Sequence, residues 1–357
     1  MNKRLILLTV VGYISAIVKA DYNVQLTRIN QKYPAVDFTR GDSDFTYNYN
    51  PSYVPIYDDK GTLTQDALMI RAQQALSQKY EAGPSMMPVS TFTYDSTKQT
   101  IKFDKVTTDK VVFQSQEDYE NYGVEDPRVA YRASDKTYYM MYSAVQEFED
   151  KSVVSQLSLA TTKTPLDKTS WQRQGHIFDS KDVKWSKSGA LIFRDVETGP
   201  HYLLWGDDHI TVATTTDFKT FTNAVGPPII APRPDHFDST LVESGPPPLK
   251  LADGNYLFFY NSARDGFPSD KPGYNLQYNV GYVILDGTDP TKVLQRSSDP
   301  ILQPIYSWEV GDYSTLCLVP RVVFLEAAKP LGNDQFLVFY GGADSVVGSA
   351  IVTVTKS

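Results

Sequence analysis

A short aromatic strand ending in small or polar residues recurs along this chain at intervals of tens of residues. A repeat of that period restricts the fold more than any single motif does. The copies are Tyr138-Tyr139-Met140-Met141-Tyr142-Ser143-Ala144, His201-Tyr202-Leu203-Leu204-Trp205-Gly206-Asp207, Asn255 to Ala263 and Gln335 to Asp344, with a weaker fifth at Ala67 to Arg71. Most copies are followed by a second strand and a turn rich in Thr, Asp and Pro, as at Leu157 to Thr162, Ile210 to Thr215 and Val280 to Asp286. Each pair reads as a β hairpin. With no sustained 3.6-residue apolar period between them, the chain is expected to be all-β, a five-bladed β-propeller forming one domain over residues 21–357. A β-sandwich of unrelated hairpins accounts less well for the matched strand endings. In a propeller the innermost strands of several blades converge at the mouth of the central channel, so residues distant in sequence can share one site.

Composition removes several classes of function. Of the 357 residues 41% are hydrophobic and 21% charged, which excludes a disordered chain and a polytopic membrane protein. The formal charge of −8 argues against a nucleic-acid partner, which needs a basic face. Residues 1–20 read as an export signal: Lys3 and Arg4, an apolar run from Leu5 to Val18, and the small-x-small site Val18-Lys19-Ala20. The run is too short to span a bilayer. The mature chain is therefore expected to start at Asp21, to be extracellular (periplasmic in a bacterium) and to have no membrane partner after signal removal. Cys317, the single cysteine, sits in the apolar run Leu316-Cys317-Leu318-Val319 and reads as a buried thiol. His176, His201, His209 and His236 have no tight metal-ligand spacing, so no metal and no cofactor are expected. No G-x-S-x-G elbow and no phosphate-cradling glycine loop is present.

The densest polar cluster is Gly123-Val124-Glu125-Asp126-Pro127-Arg128-Val129, placed directly before the second-blade strand. Arg128 can hold one carboxylate ionised through a bidentate pair while a less solvated neighbour keeps its proton and serves as an acid. An ordinary ion pair on a solvated turn is the simpler alternative. The surrounding motifs add to this reading. Val124-Glu125-Asp126-Pro127-Arg128, Ser244-Gly245-Pro246-Pro247-Pro248-Leu249 with Asp253-Gly254, the stretch Leu285 to Leu294 with Arg296-Ser297 and Pro300-Ile301-Leu302, and Tyr340-Gly341-Gly342-Ala343-Asp344 occur in that order. Together they resemble glycoside hydrolase family 130, whose members are five-bladed propellers acting on β-linked mannosides by phosphorolysis or hydrolysis. The resemblance spans about residues 45–355.

The resemblance implies Asp126 as general acid, with Glu125 and Arg128 beside it, and a proton that reaches the glycosidic oxygen through a sugar hydroxyl. It further implies that Asn50 in Asn50-Pro51-Ser52 touches the innermost sugar, that Lys187 belongs to the polar wall, and that Asp344 holds sugar hydroxyls. Three strings depart from the phosphorylase pattern: Trp205-Gly206-Asp207-Asp208 in place of His-Arg, Tyr260-Asn261-Ser262 in place of Tyr-His-Gly, and Pro320-Arg321 in place of Pro-Asn. A bound phosphate needs converging cations, and Arg71, Arg128, Lys187 and Arg321 remain to supply them. Glu243, where phosphorylases carry a small residue, and Asp207 are the carboxylates that could serve as the base of an inverting hydrolase, which stands roughly 6.5–9.5 Å from the acid. Glu243 is preferred because it lies in the recognisable motif. Tyr122, Trp205 and Tyr260 are the candidate sugar-stacking platforms.

The leading expectation is thus a secreted inverting hydrolase of β-linked mannosides with an oligosaccharide as its partner. A phosphorylase with inorganic phosphate as co-substrate and a non-catalytic carbohydrate-binding propeller are the alternatives.

Overall fold

The computed structural model describes residues 21–194, 199–311 and 316–357. The expected export signal, residues 1–20, lies outside the described residues. Five small antiparallel sheets form the blades of a β-propeller. From the inside outward, blade 1 is Tyr47–Tyr57, Leu63–Gln73, Met87–Asp95 and Thr100–Phe103, with Val111–Phe113 added to the third strand. Blade 2 is Gly123–Arg132, Thr137–Glu147, Val153–Thr162 and Gln172–His176. Blade 3 is Ala190–Ile192, His201–Trp205, Thr211–Thr215 and Thr222–Asn223. Blade 4 is Leu241–Ser244, Tyr256–Asp265, Leu276–Leu285 and Val293–Arg296, and blade 5 is Val323–Gly332, Gln335–Gly342, Val346–Lys356 and Tyr22–Arg28.

The repeated aromatic strand is the second of each blade. It is sandwiched between strands of its own sheet and between neighbouring blades, so both of its faces are apolar. Met140, Tyr142, Leu203, Phe258, Phe259, Leu337 and Phe339 are all fully buried. The innermost strands of blades 1 and 2 instead interleave apolar residues with polar ones. For that reason Glu125-Asp126-Pro127-Arg128, expected to precede a strand, lies within the inner strand of blade 2. The first blade begins at Tyr47, and the segment Tyr22–Arg28 does not belong to it. That segment pairs antiparallel with Ala350–Lys356 and closes the ring.

The tyrosine in the aromatic repeat has a defined role in three blades. The hydroxyls of Tyr142, Tyr260 and Tyr340 donate to Glu120 (2.6 Å), Asp238 (2.7 Å) and Glu309 (2.8 Å), carboxylates from the segment before each inner strand. Each carboxylate is fully buried and takes its cation from the outermost strand of its blade: Arg173, Arg296 and Arg28. A buried charge persists only when paired, so each clasp ties the inside of a blade to its rim. Glycine stands opposite the tyrosine ring on the third strand in two of these blades. A Cβ on Gly281 would lie 2.4 Å from Tyr260, and one on Gly348 would lie 2.4 Å from Tyr340.

Candidate active site

At one mouth of the channel, four non-glycine residues where inner strands begin or bulge hold left-handed backbone: Asn50 (φ 44), Asp126 (φ 52), Ser188 (φ 57) and Arg321 (φ 57). Such conformations cost about 1–3 kcal/mol each and cluster where function over-determines the structure. Asn50 and Asp126 occupy equivalent bulges, each followed by proline, in blades 1 and 2. The bulge turns both side chains inward, and Asn50 Nδ2 donates to Asp126 Oδ1 at 2.9 Å.

The cation that pairs with Asp126 is Arg71, at the channel end of the second strand of blade 1. Its two terminal nitrogens donate to Asp126 Oδ1 (2.8 Å) and Glu125 Oε1 (2.6 Å), while Nε donates to Ser85 and the guanidinium lies over the Tyr49 ring. Lys187 Nζ stands 3.7 Å from the other oxygen of Glu125. This differs from the pairing expected of Arg128. That side chain, 1% exposed, turns beneath the site and donates to the carbonyls of Asp126, Ser244 and Gly245. It therefore cannot touch a sugar as a wall residue. Two residues along a strand, on the far side of the bulge, the chain faces into the channel and not up to its mouth.

Glu243 lies on the inner strand of blade 4, buried, with Ser188 Oγ donating to it. Asp207 is partly exposed, accepts from Trp185 Nε1 at 2.7 Å, and its charge is felt by Glu243. Asp344 (φ 46) follows the last aromatic strand and interacts electrostatically with Arg71 and Asp126. Arg321 forms the blade-5 edge, its carbonyl accepting from Tyr278 N at 2.9 Å. The site thus brings together Asn50, Arg71, Glu125, Asp126, Lys187, Glu243 and Asp344, with Asp207 and Arg321 at its margin.

Two expected platforms lie elsewhere. Tyr260 is wholly buried in the blade-4 clasp with Asp238 and Arg296. Trp205 packs on Phe178 between blades, and its ring nitrogen donates to Asn223. Both occupy the clasp position of the aromatic repeat, which points into the blade. Tyr122 is exposed just before the inner strand of blade 2. The sequence reading missed Trp185, exposed beside Asp207, as well as Tyr49, Ser188, Tyr278 and Glu326. Glu326 alone carried a visible signal, a lone carboxylate in the apolar run Val322-Val323-Phe324-Leu325-Glu326-Ala327-Ala328.

The electrostatics separate the carboxylates. Burial works to raise Asp126, but Arg71, Lys187 and Arg128, with the Asn50 hydrogen bond, outweigh it and hold the carboxyl well below its usual range. Burial pushes Glu243 up to about 7, against the opposing pull of Lys187 and Arg128 and with help from Asp207 and Asp126. Burial likewise pushes Asp344 up to about 7, opposed by Arg71 and reinforced by Asp126. Lys187 stays protonated although burial disfavours its charge, because Glu125, Asp126 and Glu243 surround it. With these protein groups alone Asp126 is a base, and an anion that shares Arg71 and Lys187 would loosen their hold on it and raise its proton affinity. Among the described residues no cluster of three His, Cys, Asp or Glu side chains could hold a metal ion. Cys317 is buried, and burial pushes its thiol up to about 12.

Comparisons with known proteins agree with the fold. The family model for glycoside hydrolase family 130, described as beta-1,4-mannooligosaccharide phosphorylase, matches residues 31–356. A 1,2-beta-oligomannan phosphorylase of Thermoanaerobacter sp. (strain X514) is 33% identical over 266 residues, 74% of this chain and 79% of the relative. A beta-1,2-mannobiose phosphorylase of the same organism is 28% identical over 75% of this chain and 78% of the relative. A crystal structure of a putative glycoside hydrolase from Parabacteroides distasonis superposes with a TM-score of 0.69 at 24% identity, covering 92% of this chain and 96% of that one.

Proposed function

The chain belongs to glycoside hydrolase family 130, and from that premise we propose that it cleaves β-linked manno-oligosaccharides by phosphorolysis, with Asp126 as the proton donor. The names of the related enzymes support phosphate as the attacking group over the water favoured by the sequence reading. The observation that carries the proposal is the grip of Arg71 and Lys187 on Asp126. A phosphate dianion drawn to those two cations would supply the nucleophile. In the same step it would let Asp126 take up the proton that it must give away. A phosphate oxygen then bonds to the anomeric carbon as the glycosidic C–O bond breaks, and the proton passes to the departing oxygen with inversion at carbon.

The test is to incubate the purified chain with β-1,2- and β-1,4-linked mannobioses, with and without inorganic phosphate, and to assay sugar 1-phosphate and free sugar separately. Sugar 1-phosphate formed only when phosphate is present is the expected result. Free mannose at equal rates in both incubations would replace phosphorolysis by hydrolysis, and glycan binding without turnover would leave a binding propeller.

One observation favours hydrolysis as a second reading. Glu243, near neutrality and held by Ser188, has the environment of a general base working at physiological pH. A base acts only when ionised, so under this reading kcat/KM rises with pH through about 7. Glu243→Gln would then lower the rate by at least about a hundredfold. Under phosphorolysis the same substitution removes a negative charge near the phosphate, and the KM for phosphate stays level or falls. A pH–rate profile of both proteins separates the two readings.

A further inference from the structure

Among the described residues, Arg128 is the one side chain whose hydrogen bonds reach the backbone of both Asp126 and the strand of Glu243. Its Nη1 donates to the Asp126 carbonyl at 3.1 Å, its Nη2 to the Ser244 carbonyl at 2.7 Å and its Nε to the Gly245 carbonyl at 3.0 Å. The Ser244 and Gly245 peptides directly follow Glu243. The planar guanidinium presents these donors in a fixed fork, so the three carbonyls cannot move independently of it. The position of the Asp126 carbonyl matters because Asp126 holds a left-handed backbone within a bulge, a conformation that surrounding contacts must enforce. The Glu243 strand has no slack here either, since a Cβ on Gly245 would lie 2.5 Å from the Phe259 carbonyl.

A third blade fixes the guanidinium itself. Glu326, wholly buried at the bulge between Leu325 and Ala327 on the inner strand of blade 5, places Oε1 2.5 Å from Arg128 Nη2. Among the described residues neither oxygen of Glu326 has a hydrogen-bond partner of good geometry, and burial pushes its carboxyl well above the usual range despite the pull of Arg128 and Arg71, so the close Arg128 contact is what holds the group in place. Glu326 also lines a cavity of about 330 Å³ with Tyr53, Tyr131, Phe193 and Pro247, and none of Asp126, Lys187, Glu243 or Asp344 borders that cavity. The Arg128–Glu326 pair therefore lies beneath the catalytic mouth, away from any bound sugar.

We propose that Arg128 and Glu326 form a positioning pair that sets the separation of Asp126 and Glu243 across the channel. The inference deepens the proposed cleavage activity and rests on it. Asp126 is the reacting side chain of the proposed cleavage, and displacement of such a group by about 1 Å can lower a rate on the order of a hundredfold, whereas groups that never touch the sugar leave its binding alone.

The experiment compares Glu326→Asp with the double variant Arg128→Met/Glu326→Leu. Glu326→Asp keeps the carboxyl group and draws it back by one methylene. It is expected to lose about tenfold or more in kcat, with KM for the mannobiose within about twofold. The double variant removes both partners together, so neither is left buried alone, but it unpairs the carbonyls of Asp126, Ser244 and Gly245; it is expected to melt below the wild type and not to regain kcat. Wild-type kcat in Glu326→Asp would overturn the proposal, as would full activity in the double variant. If the double variant does not fold, Glu326→Asp decides by itself. If the wild type cleaves no β-mannoside, the cleavage reading fails separately. The crystal structure of Glu326→Asp then still reads the pair: an Asp126–Glu243 separation unchanged to within about 0.5 Å would refute it.

Discussion

Asp126→Asn is expected to lower the rate of glycosidic cleavage by at least about a hundredfold, the lower end for loss of a general acid, in a protein that remains folded. Asparagine has the same shape and is one of the few residues at ease with positive φ, so the bulge at φ 52 survives the change. It keeps a group opposite Asn50 Nδ2 and Arg71, and the Arg71–Glu125 pair at 2.6 Å is untouched. What disappears is the carboxyl group proposed to carry the proton to the sugar. Under the proposed phosphorolysis the substitution also removes a carboxylate that would compete with phosphate for Arg71 and Lys187. Loss of kcat should therefore come with an unchanged or lower KM for phosphate. Turnover of mannobiose and a circular-dichroism melt measure the two halves of this expectation. A variant at the wild-type rate would remove Asp126 from the mechanism.

Arg28→Ala should have the largest effect on stability, about 3–5 kcal/mol, the usual consequence of leaving one partner of a buried ion pair alone. Glu309 is fully buried and receives Arg28 Nε at 2.7 Å and Nη2 at 3.0 Å. Without Arg28 it would keep, among the described residues, the Tyr340 hydroxyl and the amides of Ile305 and Tyr306. Arg28 sits on the strand that closes the ring against Ala350–Lys356. Loss of its side chain therefore loosens the clasp of blade 5 together with the seam between the chain ends. A urea titration followed by tryptophan fluorescence measures the effect, with Lys98→Ala as a control because its ion pair with Asp95 is exposed. A shift in Arg28→Ala no larger than in that control would show that the clasp does not hold the ring.

The sequence by itself determined the all-β character and the five-fold repeat, because those follow from the polarity of consecutive residues. A strand buried on both faces must be apolar along nearly its whole length, and Tyr138 to Tyr142 or Phe336 to Tyr340 show this without any knowledge of their neighbours. The bulged Asn-Pro and Asp-Pro strings were legible for the same reason, since each is a local backbone feature written in adjacent residues.

Only the tertiary structure decided who pairs with whom. Asp126 takes Arg71, 55 positions away, while Arg128, two positions away, spans to blades 4 and 5. Whether a strand residue faces the mouth, the channel or the blade interior depends on bulges and register, and a slip of one residue reverses every side chain. This is why Trp205 and Tyr260, at the channel end of the right strands, point into the blades. It is also why Tyr22–Arg28, with no aromatic repeat of its own, could be assigned to the last blade only once the ring had closed on it.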